Sequence, residues 1–304
     1  MKRSRERRSP LRRAIIPAVT MAGDFSAEHS GSFGTAAPLG EHVARLDGHA
    51  VHYLSAGAGK GTIAFLSGWG CDASLWRNQV PALVPHARLL LVDLPGHGRS
   101  GKPDIPYTIA LFARAVNAVL EDAHVERVAI AGHSMGAMVA YQFAREHPDR
   151  ATAVIFVDGA FSIPVEVEKQ VAGFRSRAQE LRSPNYQERL LAFVDQLFIP
   201  ETPPAVREEV RQSILATPRH VLASSTENFA DPKLFTPDVL DVPAFAVFCA
   251  FWHPERFVDI FKKYLPRLEY EVLEGSGHYP MLEKPEETNA ALLRVISKIE
   301  RALH

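Results

Sequence analysis

Gly132-His133-Ser134-Met135-Gly136 places a hydroxyl between two glycines, directly after the apolar run Val128-Ala129-Ile130-Ala131 and directly before a helical pattern. That arrangement has a mechanical use. A sharp strand-to-helix turn strains its central residue and crowds the positions two before and two after it, so only residues without a bulky side chain fit there. Such a turn lifts the serine Oγ clear of the backbone, and the new helix directs its free N–H groups and positive dipole end at a developing oxyanion. Ser134 therefore reads as a nucleophile, against the plainer reading in which glycine, serine and glycine meet in a loop by chance.

A similar context recurs upstream. Thr62-Ile63-Ala64-Phe65-Leu66 is a strand-like run that ends in Ser67-Gly68-Trp69-Gly70, a glycine-flanked turn able to expose a backbone N–H beside the serine. The amides of Trp69 and Met135 are the expected oxyanion hole. A third buried-strand run, Arg88-Leu89-Leu90-Leu91-Val92, turns out through Asp93-Leu94-Pro95-Gly96-His97-Gly98-Arg99-Ser100.

With these three motifs in this order, the chain resembles the α/β-hydrolase superfamily over about residues 42–303. Members commonly join a G-x-S-x-G elbow to an upstream H-G-x-x turn and a D-x-P-G-x-G-x-S loop. Here Ser67 occupies the position where histidine is usual, which removes one side-chain donor and leaves the backbone role of Trp69 intact.

The serine needs a base, and thirteen histidines compete for the role. His278 stands out because Glu269-Tyr270-Glu271-Val272-Leu273 reads as the final strand, with Glu274-Gly275-Ser276-Gly277-His278-Tyr279-Pro280 as a glycine-rich loop just beyond it. The order serine then histidine after the last strand is the one the resemblance implies. Imidazole can take the serine proton at neutral pH and return it to a leaving group. His133 and His97 read as structural neighbours of the elbow and of the Gly98 loop, and Asp93 as a local hydrogen-bonding group.

The acid departs from the commonest pattern of the superfamily. No carboxylate follows Val242-Pro243-Ala244-Phe245-Ala246-Val247-Phe248-Cys249 directly; the chain continues Ala250-Phe251-Trp252-His253. The sixth strand-like run, Ala153-Val154-Ile155-Phe156-Val157, ends abruptly at Asp158-Gly159. Some superfamily members take their acid from that place, and Asp158 is the expected partner of His278, with Glu255 as the alternative. An aspartate ending a strand is also a common turn former.

Eight strand-like segments (43–47, 51–55, 62–66, 88–92, 127–131, 152–157, 244–249 and 269–273) alternate with helical patterns. The alternation predicts an α/β fold: a mostly parallel eight-stranded sheet with helices on both faces. Ile109, Phe112, Ala113, Val116, Val119 and Leu120 form one apolar helix face, and Leu292, Ile296, Ile299 and Leu303 another. The second helix starts near Pro285, with Glu286 and Glu287 in its first turn. Residues 161–238 break the rhythm with charged and proline-rich stretches around helical fragments such as Gln187–Leu197. The resemblance implies a helical cap there, between strands 6 and 7, in which substrate choice resides. The core is then 41–160 and 239–304, preceded by a flexible tail over 1–40, basic at first and then rich in Gly, Ser and Ala.

Composition agrees with one large domain: 304 residues, 46% hydrophobic, net charge −1. No basic or acidic field recommends nucleic acid or an anionic membrane as a partner. No run reaches the ~18 apolar residues of a membrane span. Cys71 and Cys249 give neither a disulfide framework nor a zinc pattern, and Cys71 reads as a small buried residue. A cytoplasmic location is expected. The alternative is export directed by the basic N-terminus, against which stands a short, proline-broken apolar stretch at residues 14–22.

The expectation is a serine hydrolase that cleaves a small or medium, largely apolar carboxylic ester, lactone or thioester through an acyl-enzyme, with no metal or organic cofactor. Alternatives on the same fold are an acyltransferase or perhydrolase and a hydrolase of carbon–carbon bonds. A ligand receptor without turnover is the non-catalytic alternative.

Overall fold

A computed structural model describes residues 39–250 and 253–302 of the chain. Residues 1–38 of the expected tail, Trp252 and the place of Leu303 on the last helix lie outside the described residues, whereas Gly40, expected at the end of the tail, opens the first strand and pairs with Ser55. In chain order the elements are β1 (Gly40–Leu46), β2 (His49–Ala56), β3 (Thr62–Leu66), α1 (Val80–Leu83), β4 (Arg88–Val92), α2 (Ile109–Asp122), β5 (Val128–His133), α3 (Met135–Glu146) and β6 (Ala151–Val157). Four helices follow without an intervening strand: α4 (Val167–Leu181), α5 (Tyr186–Val194), α6 (Pro204–Ala216) and α7 (Arg219–Asn228). The chain then returns through β7 (Ala244–Cys249), α8 (Val258–Tyr264), β8 (Leu268–Leu273), α9 (Pro280–Glu283) and α10 (Pro285–Ala302).

The eight strands form one sheet in the order β1-β2-β4-β3-β5-β6-β7-β8. Only β2 runs antiparallel to its neighbours; the remaining pairs are parallel. Parallel strands need crossovers, and these place helices over both faces, so the central strands read as continuous apolar runs rather than alternating ones. In β4, Leu90 and Val92 pack on one side with Phe112, Val116 and Phe143. Leu89 and Leu91 pack on the other with Trp76, Leu83, Leu292 and Ile296. Each of these large side chains contributes roughly 1.5–3 kcal/mol by leaving water.

Local signals set the element ends. Thr108 Oγ1 accepts from the N–H of Leu111 at 3.0 Å and caps α2, whose apolar stripe is the one expected from spacing. Asp47, expected in the first strand, turns out of it instead. Asp47 and Gly48 both have positive φ, 51° and 82°, so Leu46 pairs directly with His49 across a two-residue hairpin. The segment expected as one helix over Gln187–Leu197 is divided into α5 and a 3-10 turn at Asp195–Leu197.

The parallel order carries the carboxyl ends of β5 and β6 and the loop after β8 to one edge of the sheet. In open α/β sheets that edge is where ligands bind.

Candidate active site

The turn after β5 holds Ser134 at φ 51°, ψ −116°, a conformation a non-glycine residue avoids at a cost on the order of 1–3 kcal/mol. Its surroundings leave no alternative to glycine. A Cβ on Gly132 would lie 2.0 Å from the carbonyl oxygen of Gly136, and one on Gly136 would lie 2.4 Å from that of Leu66. Ser134 is only partly covered, whereas its neighbours His133 and Met135 are buried.

Next to it, β6 ends at Asp158, itself at φ 40°. The Asp158 N–H donates to Val247 of β7 at 2.8 Å, and Oδ1 accepts from the N–H of Cys249 at 2.8 Å. These two bonds aim Oδ2 at the Nδ1 of His278, 2.6 Å away. Nδ1–H is then the donor, and Nε2 is left with a lone pair. Asp158 and His278 are both buried.

The backbone around His278 is held from four sides. Its N–H donates to the carbonyl of Leu197 at 3.1 Å, and its own carbonyl accepts from Nε2 of His133 at 2.7 Å. The carboxylate of Glu283 accepts from the flanking N–H groups, Gly277 at 2.8 Å and Tyr279 at 3.0 Å, and also from Thr202 Oγ1 at 2.8 Å. Burial, reinforced by the nearby His278, drives the pKa of His133 well below its ordinary value, so its ring stays neutral. Spacing alone did not single out Glu283. The signal was a carboxylate one helical turn beyond the histidine loop, able to fold back onto the loop amides.

Trp69 is anchored through its ring. Its Nε1 donates to Ser225 Oγ at 2.9 Å on α7, and its edge rests against Phe193 of α5. Ser67, the departure from the usual upstream turn, donates to the carbonyl of Asp72 at 2.6 Å and serves its own loop. Glu255 is mostly exposed and faces His253, 3.2 Å away, and the carboxylate at Nδ1 of His278 is that of Asp158. Asp93 accepts from His52 and from the N–H groups of Ala73 and Arg99. Burial pushes the pKa of His97 down to about 4. Cys71 is buried too, and its thiol is raised by that burial.

A cavity of about 610 Å³ reaches Ser134, Trp69, Met135 and His278 on the sheet side. Phe174, Phe193 and Phe229 of the helical insert face them from the other side. That volume suits a small organic ligand. Among the described residues no group of three or more His, Cys, Asp or Glu is placed to hold a metal ion, and no helix is long and apolar enough to cross a membrane.

The profile of the Alpha/beta hydrolase family matches residues 63–291. The chain belongs to the α/β-hydrolase family. It is 30% identical over 292 residues to the 2-hydroxy-6-oxononadienedioate/2-hydroxy-6-oxononatrienedioate hydrolase of Paraburkholderia phymatum, covering 85% of this chain and 96% of that one. It is 44% identical over 108 residues to the pimeloyl-[acyl-carrier protein] methyl ester esterase of Edwardsiella ictaluri; this match spans 36% of the chain and 40% of the relative's length. A thermophilic esterase from Thermogutta terrifontis shares the fold with a TM-score of 0.74 at 20% identity, over 86% of this hydrolase-family chain and 99% of the other.

Proposed function

We propose that the protein is a serine hydrolase acting on carboxylic esters or their lactone and thioester equivalents. The observation that carries this reading is the buried Asp158–His278 bond at 2.6 Å beside a strained, partly exposed Ser134 on one cavity. Ser134 Oγ attacks the carbonyl while His278 Nε2 takes its proton, and Asp158 holds Nδ1–H and stabilises the imidazolium. The N–H groups of Trp69 and Met135 receive the oxyanion. His278 then protonates the leaving group, and water, activated by the same ring, releases the acyl group. Residues 161–238 act as a cap whose aromatic side chains decide which acyl groups fit, over a core of 41–160 and 239–304.

A second reading, hydrolysis of a carbon–carbon bond beside a ketone, uses the same residues. It is favoured by the Paraburkholderia relative, whose match spans nearly its whole length. Product analysis on an ester, lactone, thioester and vinylogous diketone panel separates the two.

A fluorophosphonate probe tests the nucleophile directly. One phosphonyl group is expected, on the peptide carrying Ser134. Labelling at Cys71, or none on folded protein, overturns the reading.

Glu283 is expected to act on turnover through the histidine loop. Glu283→Gln replaces one acceptor oxygen with an NH2 group facing a backbone N–H, so one clamp bond becomes a repulsion. Displacing His278 by even part of an ångström should lower kcat about 10- to 100-fold with little change in KM. Steady-state kinetics on a soluble ester measure this, with Glu283→Asp recovering part of the loss. An unchanged kcat would show that the clamp does not position the ring.

A further inference from the structure

One wall of the cavity carries a charge that the proposed chemistry does not use. Lys169, Gln170, Phe174 and Arg177 line it from one face of α4, at a spacing that keeps them on the same side of a helix. Lys169 is exposed and pairs with Glu166 at 3.0 Å. Arg177 differs from it: no hydrogen bond or ion pair engages its guanidinium among the described residues. Its guanidinium carbon lies 3.5 Å from the centroid of the Phe193 ring. Glu180, the acid that influences it, is paired with Arg189 at 3.6 Å. Among the described residues lining the cavity, Asp158 is the one acidic side chain, and it is bonded to His278.

Stacking covers a face of the guanidinium and leaves its in-plane N–H fork available, the geometry that meets a carboxylate with two parallel hydrogen bonds. Arg177 is also half-buried, and burial lowers its pKa from the ordinary value while leaving it charged. A cation partly withdrawn from water, with no protein acceptor for its donors among the described residues, favours an anion that arrives with the ligand. The rest of the lining is dominated by aromatic and aliphatic side chains such as Phe229, Phe248 and Met138.

We propose that Arg177 receives a carboxylate at the far end of the acyl chain, so that the preferred substrates are monoesters of dicarboxylic acids with an apolar chain between the two ends. This rests on the serine-hydrolase reading for the scissile end, and its test separates the two. The probes are p-nitrophenyl hemiesters of the succinate-to-suberate series and neutral p-nitrophenyl esters of matching length. For the best chain length, the ratio of kcat/KM for hemiester over neutral ester is expected to fall about 10- to 100-fold in Arg177→Met, chiefly through KM. Arg177→Lys should recover part of it, and Arg177→Gln gives the same readout if the methionine variant does not fold.

Binding is measured in parallel, by calorimetric titration of the methyl hemiester of the best length into Ser134→Ala and Ser134→Ala/Arg177→Met proteins. Loss of affinity in the double variant supports the carboxylate site even if wild type hydrolyses neither ester series, a result that would remove only the hydrolase reading. Hydrolysis with an unchanged ratio, or wild-type preference for neutral esters, overturns the carboxylate site and leaves the hydrolase reading in place.

Discussion

Ser134→Ala is expected to lower kcat on an activated ester by about 10⁶-fold, and His278→Ala by a similar factor. The double variant should lose little more than either single one. In the proposed mechanism the two groups act as one device: without the ring the hydroxyl is a weak nucleophile, and without the hydroxyl the ring has no proton to take. Stability should barely respond, because Ser134 touches solvent and alanine tolerates the same turn about as well as serine does. The measurement is turnover of purified variants, corrected by active-site titration for trace wild type, beside thermal unfolding curves. Losses that add across the double variant would detach His278 from Ser134.

Asp158→Asn is expected to lower kcat by about 10⁴-fold while Glu255→Gln costs little. The substitution keeps volume and burial. It removes the charge that stabilises the imidazolium, and the amide that replaces the carboxylate cannot satisfy both the Cys249 N–H and the His278 Nδ1–H as strong acceptors. Turning its NH2 toward His278 would make Nδ1 the acceptor and protonate Nε2, the nitrogen that has to accept from serine. Glu255 faces His253 near the surface, and losing its charge leaves the buried pair untouched. A small effect at Asp158 together with a large one at Glu255 would reverse the assignment of the acid.

The frame of the fold is visible in local pattern. Arg88–Val92 and Thr62–Leu66 occupy their expected places to the residue, because a strand buried on both faces must be apolar throughout and is bounded where polar groups resume. The hairpin turn at Asp47-Gly48 departs from the expected strand over 43–47, because the β-like run continues into Asp47 and masks the turn pair. Ser134, Asp158 and His278 are each marked locally, by glycine spacing, by an apolar run that stops, and by a glycine-rich loop.

What holds the loops together is not marked in this way. The bonds from Thr202 to Glu283, from His278 to Leu197 and from Trp69 to Ser225 join residues roughly eighty to one hundred and fifty positions apart, and neither period nor propensity encodes such distances. The helix expected to continue to Leu197 ends early at Val194 for a related reason. The backbone there tightens into a 3-10 turn, and the carbonyl of Leu197 serves His278 rather than another helical turn.

The helical insert therefore is not an interchangeable visor. A chimera that grafts the corresponding helices from a relative would import a different pocket lining, and would also break the joint at which Thr202 and Leu197 grip the loop of His278. The backbone half of that joint survives any residue at position 197, whereas the hydroxyl half does not survive an apolar one at 202. Donor segments compatible with this scaffold are those that bring their own hydroxyl to Glu283, so the breeding stock for new specificities is narrower than the variety of inserts the fold can carry.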